Sequence, residues 1–450
     1  SFACKCLTAL ADKTSDNMKL SLQMSITLHR LFNNIADKLF SFFVPVLIYN
    51  ATQNLFLALL FLLFEQVIRA TLILLTKKIC AKNPVLLISL RLITLVALQV
   101  LFVVNINFSW WIVLIMATLV AINTAFYWPE LNTIFAVTNK HPNTAKAVSA
   151  FENAGNLGKM IAPLIGGVLI FNNYLWVNIL ICFVFYSVSV VFLLINVKEI
   201  NGRVKEVANT KNTLEDNIKN NRSNLLWFYA LMGLRDFAID QSLPLILAVK
   251  NIDVNIIGLS YTMLELGIIV SNIITSFIST EKHWYVISLV CSALLGTLLM
   301  VVPFFINDVF VVVYTVVIGL LNPFCVNVMF SKFVGVPDAR LINDVCNREA
   351  VIIGAKILPA TIAVATCILP IGIIIGGVAY YLYAIPYTYE YKKDKLKEDG
   401  LTLEELKILA KSKDEAKMLD ELIEKQNKQT TKKTNNKTNT SQTNTENKNN

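Results

Sequence analysis

The chain has 450 residues, 55% of them hydrophobic, and a mean hydropathy of +0.58. These values exclude an ordinary soluble globular protein and are typical of a chain with several membrane spans. The formal net charge of +9 is distributed unevenly along the chain. The eight cysteines and three histidines are scattered without metal-ligand spacing, so we expect neither a metal site nor any other cofactor.

Long stretches of the chain carry no charged residue, among them residues 39–64, 92–129, 160–197, 285–307 and 357–389. A membrane helix needs roughly 20 apolar residues, and polar turns such as "NATQN", "NINFS" and "NNY" interrupt the longer stretches. The pattern predicts an all-α membrane protein with about 12 transmembrane helices. The predicted spans, in chain order, are 26–47, 54–75, 85–104, 109–137, 146–171, 175–196, 224–248, 254–279, 284–305, 308–331, 345–367 and 369–388.

The loops between these spans alternate in charge. One set, at 76–83, 138–146, 198–222, 280–284 and 331–349, carries Lys or Arg in every loop, whereas the intervening set has Lys250 as its one basic residue. The positive-inside rule places the basic loops and both termini in the cytoplasm, and we expect the plasma (inner) membrane. Five tryptophans fall at span ends, where an interfacial aromatic belt is expected: Trp110, Trp111, Trp176, Trp227 and Trp284.

A polar segment divides six spans from six. We therefore predict a cytoplasmic N-terminal extension (1–24), a first six-helix bundle (25–196), a cytoplasmic linker (197–223), a second six-helix bundle (224–388) and a cytoplasmic tail (389–450). In the tail, "TLEE" from Thr402 is a capping-box pattern that predicts a short amphipathic helix over about 402–426. The Asn-, Thr- and Lys-rich remainder lacks the apolar residues needed to fold.

The two six-span halves resemble each other in sequence. An acidic residue precedes a proline by the same interval in the first span of each half, and a glycine does so in the fifth span. The matched pairs are Asp37 with Pro45, Asp236 with Pro244, Gly158 with Pro163, and Gly354 with Pro359. Parallel duplicated halves of this kind are typical of one class of secondary transporters.

The charges that we place well inside predicted spans are Asp37, Lys38, Glu65, Lys159, Arg235, Asp236, Asp240, Glu265 and Lys356. A charge at the bilayer centre costs about 2.5–3.5 kcal/mol on insertion scales, so most of these side chains must face the bundle interior. Arg235 and Asp236 point about 100° apart on a helix, so each is expected to pair elsewhere. The near balance of signs fits either a fixed salt-bridge network between the halves or a polar path for substrate or protons. A carboxylate at Asp37 or Asp236 is a candidate for protonation, whereas Arg235 with Lys159 is a candidate pair for an anionic substrate.

The segment "PELNTIFAVTNKHPNTAKAVSAFENAGNLGKMIAPLIGG" joins the fourth and fifth predicted spans. Together with the two six-span halves and the cytoplasmic linker, it resembles the major facilitator superfamily, in which helix 5 carries a pattern like G-x3-G-P-x2-G-G. Gly158, Pro163, Gly166 and Gly167 match that pattern, and Ala162 replaces the glycine before the proline. The resemblance covers roughly residues 25–388 and implies two pseudo-symmetric six-helix bundles.

The glycines and prolines of the fifth spans have a physical role of their own. Small residues allow helix backbones to approach closely, and a proline removes one backbone hydrogen bond and permits a bend. We therefore expect gating or helix-packing roles for six residues: Gly158, Pro163, Gly166, Gly167, Gly354 and Pro359.

Helices 1, 4, 7 and 10 line the cavity in the family that the chain resembles, and polar residues of neighbouring spans are expected to support them. The resulting candidate pathway for substrate and protons consists of Asp37, Glu65, Trp128, Asn156, Lys159, Arg235, Asp236, Glu265, Asn322 and Lys356. Trp128 is equally compatible with simple packing.

The resemblance implies a secondary active transporter that moves a small solute by alternating access. In the family, this version of the helix 5 pattern is more usual among exporters that exchange substrate for protons. The loop "RATLILLTKKICAKN" lacks the glycine and aspartate usual between helices 2 and 3, which keeps a non-transporting membrane scaffold or receptor as the alternative.

Other function classes receive no support from the sequence. No H-E-x-x-H, G-x-S-x-G, D-D-x-x-D or Walker-type pattern is present, so we expect neither an enzyme nor an ATP-driven pump. The expected partners are a small-molecule substrate, protons as a candidate coupling ion, and the lipid bilayer. We expect a monomer and no nucleic-acid partner.

Overall fold

The structure is a computed structural model, and it describes residues 21–104, 108–139, 144–210, 222, 225–278, 284–334 and 340–398. Up to residue 387 the described residues belong to one compact unit, and residues 388–398 belong to a second. The predicted tail helix at 402–426 and most of the predicted N-terminal extension lie outside the described residues. The division into bundles, linker and tail stays a prediction.

Helices make up nearly all of the first half of the unit, which we define as residues 21–196. Its elements are α1 (Leu22–Phe40), a 3-10 turn (Ser41–Phe43), α2 (Val44–Thr52), α3 (Leu55–Cys80), α4 (Pro84–Val103), α5 (Trp110–Ala125), α6 (Trp128–Thr138), α7 (Thr144–Phe171) and α8 (Leu175–Ile195). A polar helix, α9 (Val197–Ala208), follows within the predicted linker.

The second half, residues 225–387, repeats this arrangement. Its elements are α10 (Leu225–Asp236), a π-helical turn (Phe237–Ser242), α11 (Leu243–Val249), α12 (Val254–Ile278), α13 (Trp284–Val301), a 3-10 turn (Val302–Phe304), α14 (Asp308–Val334), α15 (Leu341–Thr366), α16 (Pro370–Leu382) and the start of α17 (Ala384–Glu398).

Capping side chains explain several helix starts. The Ser21 hydroxyl accepts a hydrogen bond from the Met24 amide at 3.3 Å, and Asn54 accepts one from the Leu57 amide at 3.4 Å. Each bond satisfies an amide that has no partner within its helix. Ser21 lies before the first predicted span, so α1 begins earlier than predicted, whereas Asn54 is the first residue of the second predicted span and α3 begins directly after it.

Eleven helices among the described residues are long and apolar enough to cross a membrane. The seventh predicted span, 224–248, is not one of them because every stretch of membrane length within it carries three charges, Arg235, Asp236 and Asp240. The π-helical turn also divides it into α10 and α11. Pro244 lies two residues after the end of that turn, and its missing amide hydrogen disrupts regular helical bonding. In the first half, the 3-10 turn stands in the same place before Pro45. The first span of each half is therefore broken at a matching position, just before a proline.

Left-handed backbone conformations also recur between the halves. Gln53, Asn173, Asn251 and Cys367 have φ between 52° and 60° and lie just after the first and fifth spans of each half. A non-glycine residue rarely adopts this conformation. Its recurrence at corresponding turns supports the internal repeat inferred from the sequence.

Two helix pairs carry most of the contact between the halves: α7 packs along α12, and α3 packs along α15. Large apolar side chains are exposed on the outside of the unit, as expected for surfaces that face lipid. Four of the five belt tryptophans are exposed, but Trp284 is only 3% exposed. Its prediction as an interfacial residue is wrong, because its ring packs against Tyr387 with centroids 5.5 Å apart.

Candidate functional site

A cavity of about 340 Å³ lies between the two halves. The first half lines it with α1, the 3-10 turn, α2, α3, α5, α6 and α7, and the second half lines it with α10, the π-helical turn, α12, α14 and α15. All ten residues of the candidate pathway line this one cavity: Asp37, Glu65, Trp128, Asn156, Lys159, Arg235, Asp236, Glu265, Asn322 and Lys356. Their common location is observed, and their role as a pathway stays a prediction.

Polar contacts join the halves inside the cavity. The Lys159 ammonium on α7 lies 4.0 Å from a carboxylate oxygen of Glu265 on α12. It also lies 6.0 Å from the centroid of the Trp128 ring. Asn132 on α6 donates a hydrogen bond to Glu349 on α15 at 3.0 Å. The interface between the halves is therefore polar where it borders the cavity.

Arg235 organises the second half of the site. Its guanidinium donates hydrogen bonds to the side chains of Asp236 and Asn322. The expectation that Arg235 and Asp236 each pair elsewhere is therefore wrong, because the long guanidinium arm folds back onto its sequence neighbour. The Lys356 ammonium lies 4.0 Å from the other oxygen of Asp236, and the Tyr380 hydroxyl donates to Asn322 at 2.9 Å.

The two candidate pathway acids of the first half, Asp37 and Glu65, are less tightly held. Asp37 accepts a hydrogen bond from the Tyr186 hydroxyl at 3.3 Å and has no basic group within 4.0 Å among the described residues. Glu65 lies one helical turn from Arg69, with the nearest nitrogen and oxygen 4.0 Å apart. A distance of 4.0 Å is too long for a hydrogen bond, so this pair is held by charge alone.

Sequence reasoning left several charged lining residues out of the candidate pathway: Arg30, Lys38, Arg69, Glu152, Asp240, Arg348 and Glu349. Lys38 and Asp240 are among the charges that the sequence analysis places well inside spans, and Glu152 is a polar residue of the fifth span, whereas the other four carry no expectation. Arg348 and Glu349 lie near the predicted start of their span, and the real helix begins earlier, at Leu341. A search for opposite charges near the ends of the predicted spans would have found them. With these residues included, the described lining contains seven acidic and seven basic side chains.

Glycines of α7 stand where helices approach most closely. A Cβ at Gly158 would lie 2.5 Å from the Leu31 carbonyl oxygen on α1, and one at Gly167 would lie 2.8 Å from the Val254 carbonyl oxygen on α12. Gly166 has a similar contact with Leu39, and the Pro163 carbonyl packs against Gly258 of the second half. These contacts agree with the helix-packing role expected of α7.

The matching glycine of the second half behaves differently. A Cβ at Gly354 would meet no atom within 4 Å, so the expected helix packing is absent there. Pro359, five residues later on the same helix, is buried inside α15. The close helix approach is kept in the second half, but the glycine that allows it is Gly233 on α10, where a Cβ would clash with the Ile352 carbonyl oxygen of α15.

The halves touch on both sides of the cavity. We call the end that holds Leu22, Cys80 and Thr138 the basic end, since its loops carry the Lys and Arg residues. There, the rings of Phe135 and Phe330 lie 6.3 Å apart. At the opposite end, the rings of Phe42 and Tyr261 lie 4.4 Å apart, and α2 packs against α11. The cavity is therefore bounded by contacts between the halves at each end.

The site shows no metal-binding arrangement in the part of the chain that the structure describes. No group of three or more His, Cys, Asp or Glu side chains is placed to hold an ion there. The cavity acids lie instead beside Lys, Arg, Asn or Tyr side chains.

Solved structures share this architecture. A bacterial homologue of the iron transporter ferroportin, in its outward-facing state, superposes with a TM-score of 0.62 at 16% identity, covering 83% of this chain and 100% of that one. The human organic anion transporter MFSD10 (TETRAN) gives a TM-score of 0.57 at 8% identity, covering 81% of this chain and 98% of that one. Identities this low establish the fold alone. No protein of curated function matches the sequence.

The sequence also matches a family profile over most of its helical part. Residues 26–340 match the profile described as Major Facilitator Superfamily. The match begins in α1 and extends through α14, and it includes most of the helices that line the cavity. Members of this family are multi-pass membrane transporters of small molecules. The chain is an integral membrane protein that belongs to the Major Facilitator Superfamily.

Proposed function

We propose that this chain is a secondary active transporter, not an enzyme, and that it exports a small solute in exchange for protons by alternating access. The observation that carries the proposal is the charged cavity between the two halves, which all ten candidate pathway residues line. Its volume of about 340 Å³ falls within the range of small-molecule pockets. The two halves would rock about this cavity, opening first one end and then the other.

The loose ion pairs favour transport over a fixed scaffold. Lys159 with Glu265 and Lys356 with Asp236 each approach only to 4.0 Å, beyond hydrogen-bonding range. A permanent network that joined the halves would be expected to use short, fully hydrogen-bonded pairs, because an imperfectly paired buried charge is costly. Loose pairs leave these groups able to exchange partners when a solute or a proton enters.

The direct test is a thermal-shift screen of the purified protein against a broad solute panel at several pH values, followed by counterflow of each hit in proteoliposomes. A solute present at about 100 times its Kd stabilises the folded state by about 2.7 kcal/mol. We expect at least one hit, and its loss in Lys159→Ala and in Asp236→Asn. Lys205→Ala is the matched control, since Lys205 is exposed on α9, away from the cavity.

The coupling of solute transport to protons is tested in the same proteoliposomes. We expect uptake of the hit to depend on an imposed pH gradient and to collapse when a protonophore dissipates that gradient. If no solute shifts the melting temperature of the wild type, and both cavity variants simply melt lower, then the charges are structural and the scaffold alternative replaces transport.

A further inference from the structure

The signs of the cavity charges limit which solutes it can hold. The lining contains as many acidic as basic side chains, seven of each. A cleft lined by one sign of charge concentrates ligands of the opposite sign. This cavity, whose charges cancel, has no such preference for a net anion or a net cation. It suits a solute that is itself neutral overall.

The charges that remain available are of both signs. Three pairs in the lining already satisfy each other closely: Arg30 with Glu152 at 2.5 Å, Arg348 with Glu349 at 3.1 Å, and Arg235 with Asp236. Within the described residues, neither the Lys159 nor the Lys356 ammonium has a hydrogen bond, although each lies 4.0 Å from an acid. Each of these ammonium groups is therefore available to bind a negatively charged group of a ligand.

Unused acceptors lie in the same cavity. One carboxylate oxygen of Glu265 is buried without a hydrogen-bond partner among the described residues. Asp240, on the π-helical turn, is exposed to the cavity and has no ion pair there within the described part of the chain. A buried charged group without a partner is strongly destabilising, so a ligand that supplies the missing partners gains affinity.

We propose that the solute is a small zwitterion of the α-amino-acid type, with its carboxylate at Lys159 and its ammonium group at Glu265. This inference rests on the proposed transport function and specifies its substrate class. An α-amino acid presents its two charges one carbon apart, which matches an ammonium and a carboxylate that face each other across 4.0 Å. Phe42, Phe61 and Leu264 supply an apolar wall for the side chain of the amino acid.

A net-charged solute fits this arrangement less well. An organic anion would pair with Lys159 and leave the buried Glu265 oxygen without a partner, and an organic cation would leave the lysine without one. A zwitterion satisfies both groups at once and adds no net charge to the cavity. Tight binding should therefore require a positive and a negative group in the same solute, and the experiment tests this requirement.

The experiment measures Kd for the purified full chain against each of the twenty amino acids, with succinate, glucose and Fe²⁺ as solutes of other classes. The tightest-binding amino acid is then compared with its N-acetyl derivative, which keeps only the carboxylate, and with its methyl ester, which keeps only the ammonium group. Losing one charged contact should weaken binding by about ten- to a hundredfold in each derivative.

Charge-removing variants test which residue holds which group. Lys159→Gln should weaken binding of the free amino acid and of the N-acetyl derivative, and leave the methyl ester unaffected or tighter. Glu265→Gln should weaken binding of the free amino acid and of the methyl ester, and leave the N-acetyl derivative unaffected or tighter. The derivative that each variant still binds shows that the variant is folded. Lys205→Gln and Glu206→Gln, both exposed on α9, should match the wild type.

The outcomes separate the substrate class from transport itself. Either derivative binding as tightly as its parent overturns the zwitterion, and so does binding of succinate, glucose or Fe²⁺ with no amino acid bound. In proteoliposomes, counterflow of one of those other solutes would uphold transport while rejecting the zwitterion. Amino-acid binding without counterflow would uphold the zwitterion site and reject transport. Absence of binding by every probe rejects the zwitterion, and the broad solute panel of the thermal-shift screen then decides separately whether transport is also rejected.

Discussion

Two glutamates of the first half are alike in chemistry and differ in their surroundings. Glu130 on α6 is fully buried, and neither of its carboxylate oxygens has a hydrogen-bond partner among the described residues. Glu152 on α7 accepts a hydrogen bond from Arg30 at 2.5 Å, and that guanidinium is almost fully buried. Burying a charge is costly unless a partner compensates it. The two side chains should therefore respond in opposite ways to loss of charge.

Replacement of each glutamate by glutamine tests this reasoning. Glu130→Gln should keep or raise the melting temperature, because it removes a carboxylate that has no compensating partner. Glu152→Gln should lower the free energy of unfolding by roughly 1–3 kcal/mol, because it leaves the buried Arg30 guanidinium without its charged hydrogen-bond partner. Thermal unfolding of both variants in the same detergent provides the comparison. A loss of stability in Glu130→Gln as large as that in Glu152→Gln would mean that Glu130 has a stabilising role that its contacts do not reveal.

At the scale of helices, corresponding glycines in the two halves have different neighbours. Gly158 on α7 packs directly against the backbone of α1, whereas Gly354 on α15 has open space where a side chain would extend. Close packing of α7 against α1 therefore depends on the missing side chain at Gly158. The sequence alone assigns the two residues the same role, because both precede a proline by five residues.

Alanine substitution distinguishes the two glycines. At Gly158, the new methyl group must displace the Leu31 carbonyl from 2.5 Å, so α1 and α7 separate; overpacking of this kind costs about 1–3 kcal/mol. At Gly354, alanine should be neutral or slightly stabilising, since nothing lies within 4 Å. Melting temperatures of Gly158→Ala and Gly354→Ala measure the difference directly. Equal losses at both positions would refute the assignment of close packing to Gly158 and of open space to Gly354.

On the scale of the whole molecule, the sequence predicts the fold well because its main signals are local. Apolar runs of membrane length and turn residues between them depend only on neighbouring positions, and the helices follow them closely. Pairings across the cavity, such as Lys159 with Glu265 and Asn132 with Glu349, join residues that are far apart in the chain. No local pattern selects one opposite charge over another, so the sequence predicts a polar interior without predicting its partners.

If the chain works by the proposed alternating access, contacts between the halves at the basic end should keep that end closed. The hydrogen bond from Asn132 to Glu349 holds α6 against α15, and its loss should favour opening of this end. A hydrogen bond to a charged group contributes about 1.5–3 kcal/mol, so Asn132→Ala should raise the population of the open state by at least tenfold. Asn123→Ala is the control, because Asn123 accepts its bond from Arg91 entirely within the first half.

Native cysteines can report this opening. Cys80 on α3 and Cys346 on α15 are buried beside each other between the halves, at the basic end, whereas Cys182 is buried against α1 within the first half. In Asn132→Ala, maleimide labelling of Cys80 and Cys346 should accelerate about tenfold or more, with Cys182 unchanged, as quantified by mass spectrometry of the labelled peptides. In Asn123→Ala all three rates should stay at the wild-type level. If Cys182 accelerates together with the other two, the variant is loosening the whole first half, and Asn132 does not act as a contact that closes one end of the cavity.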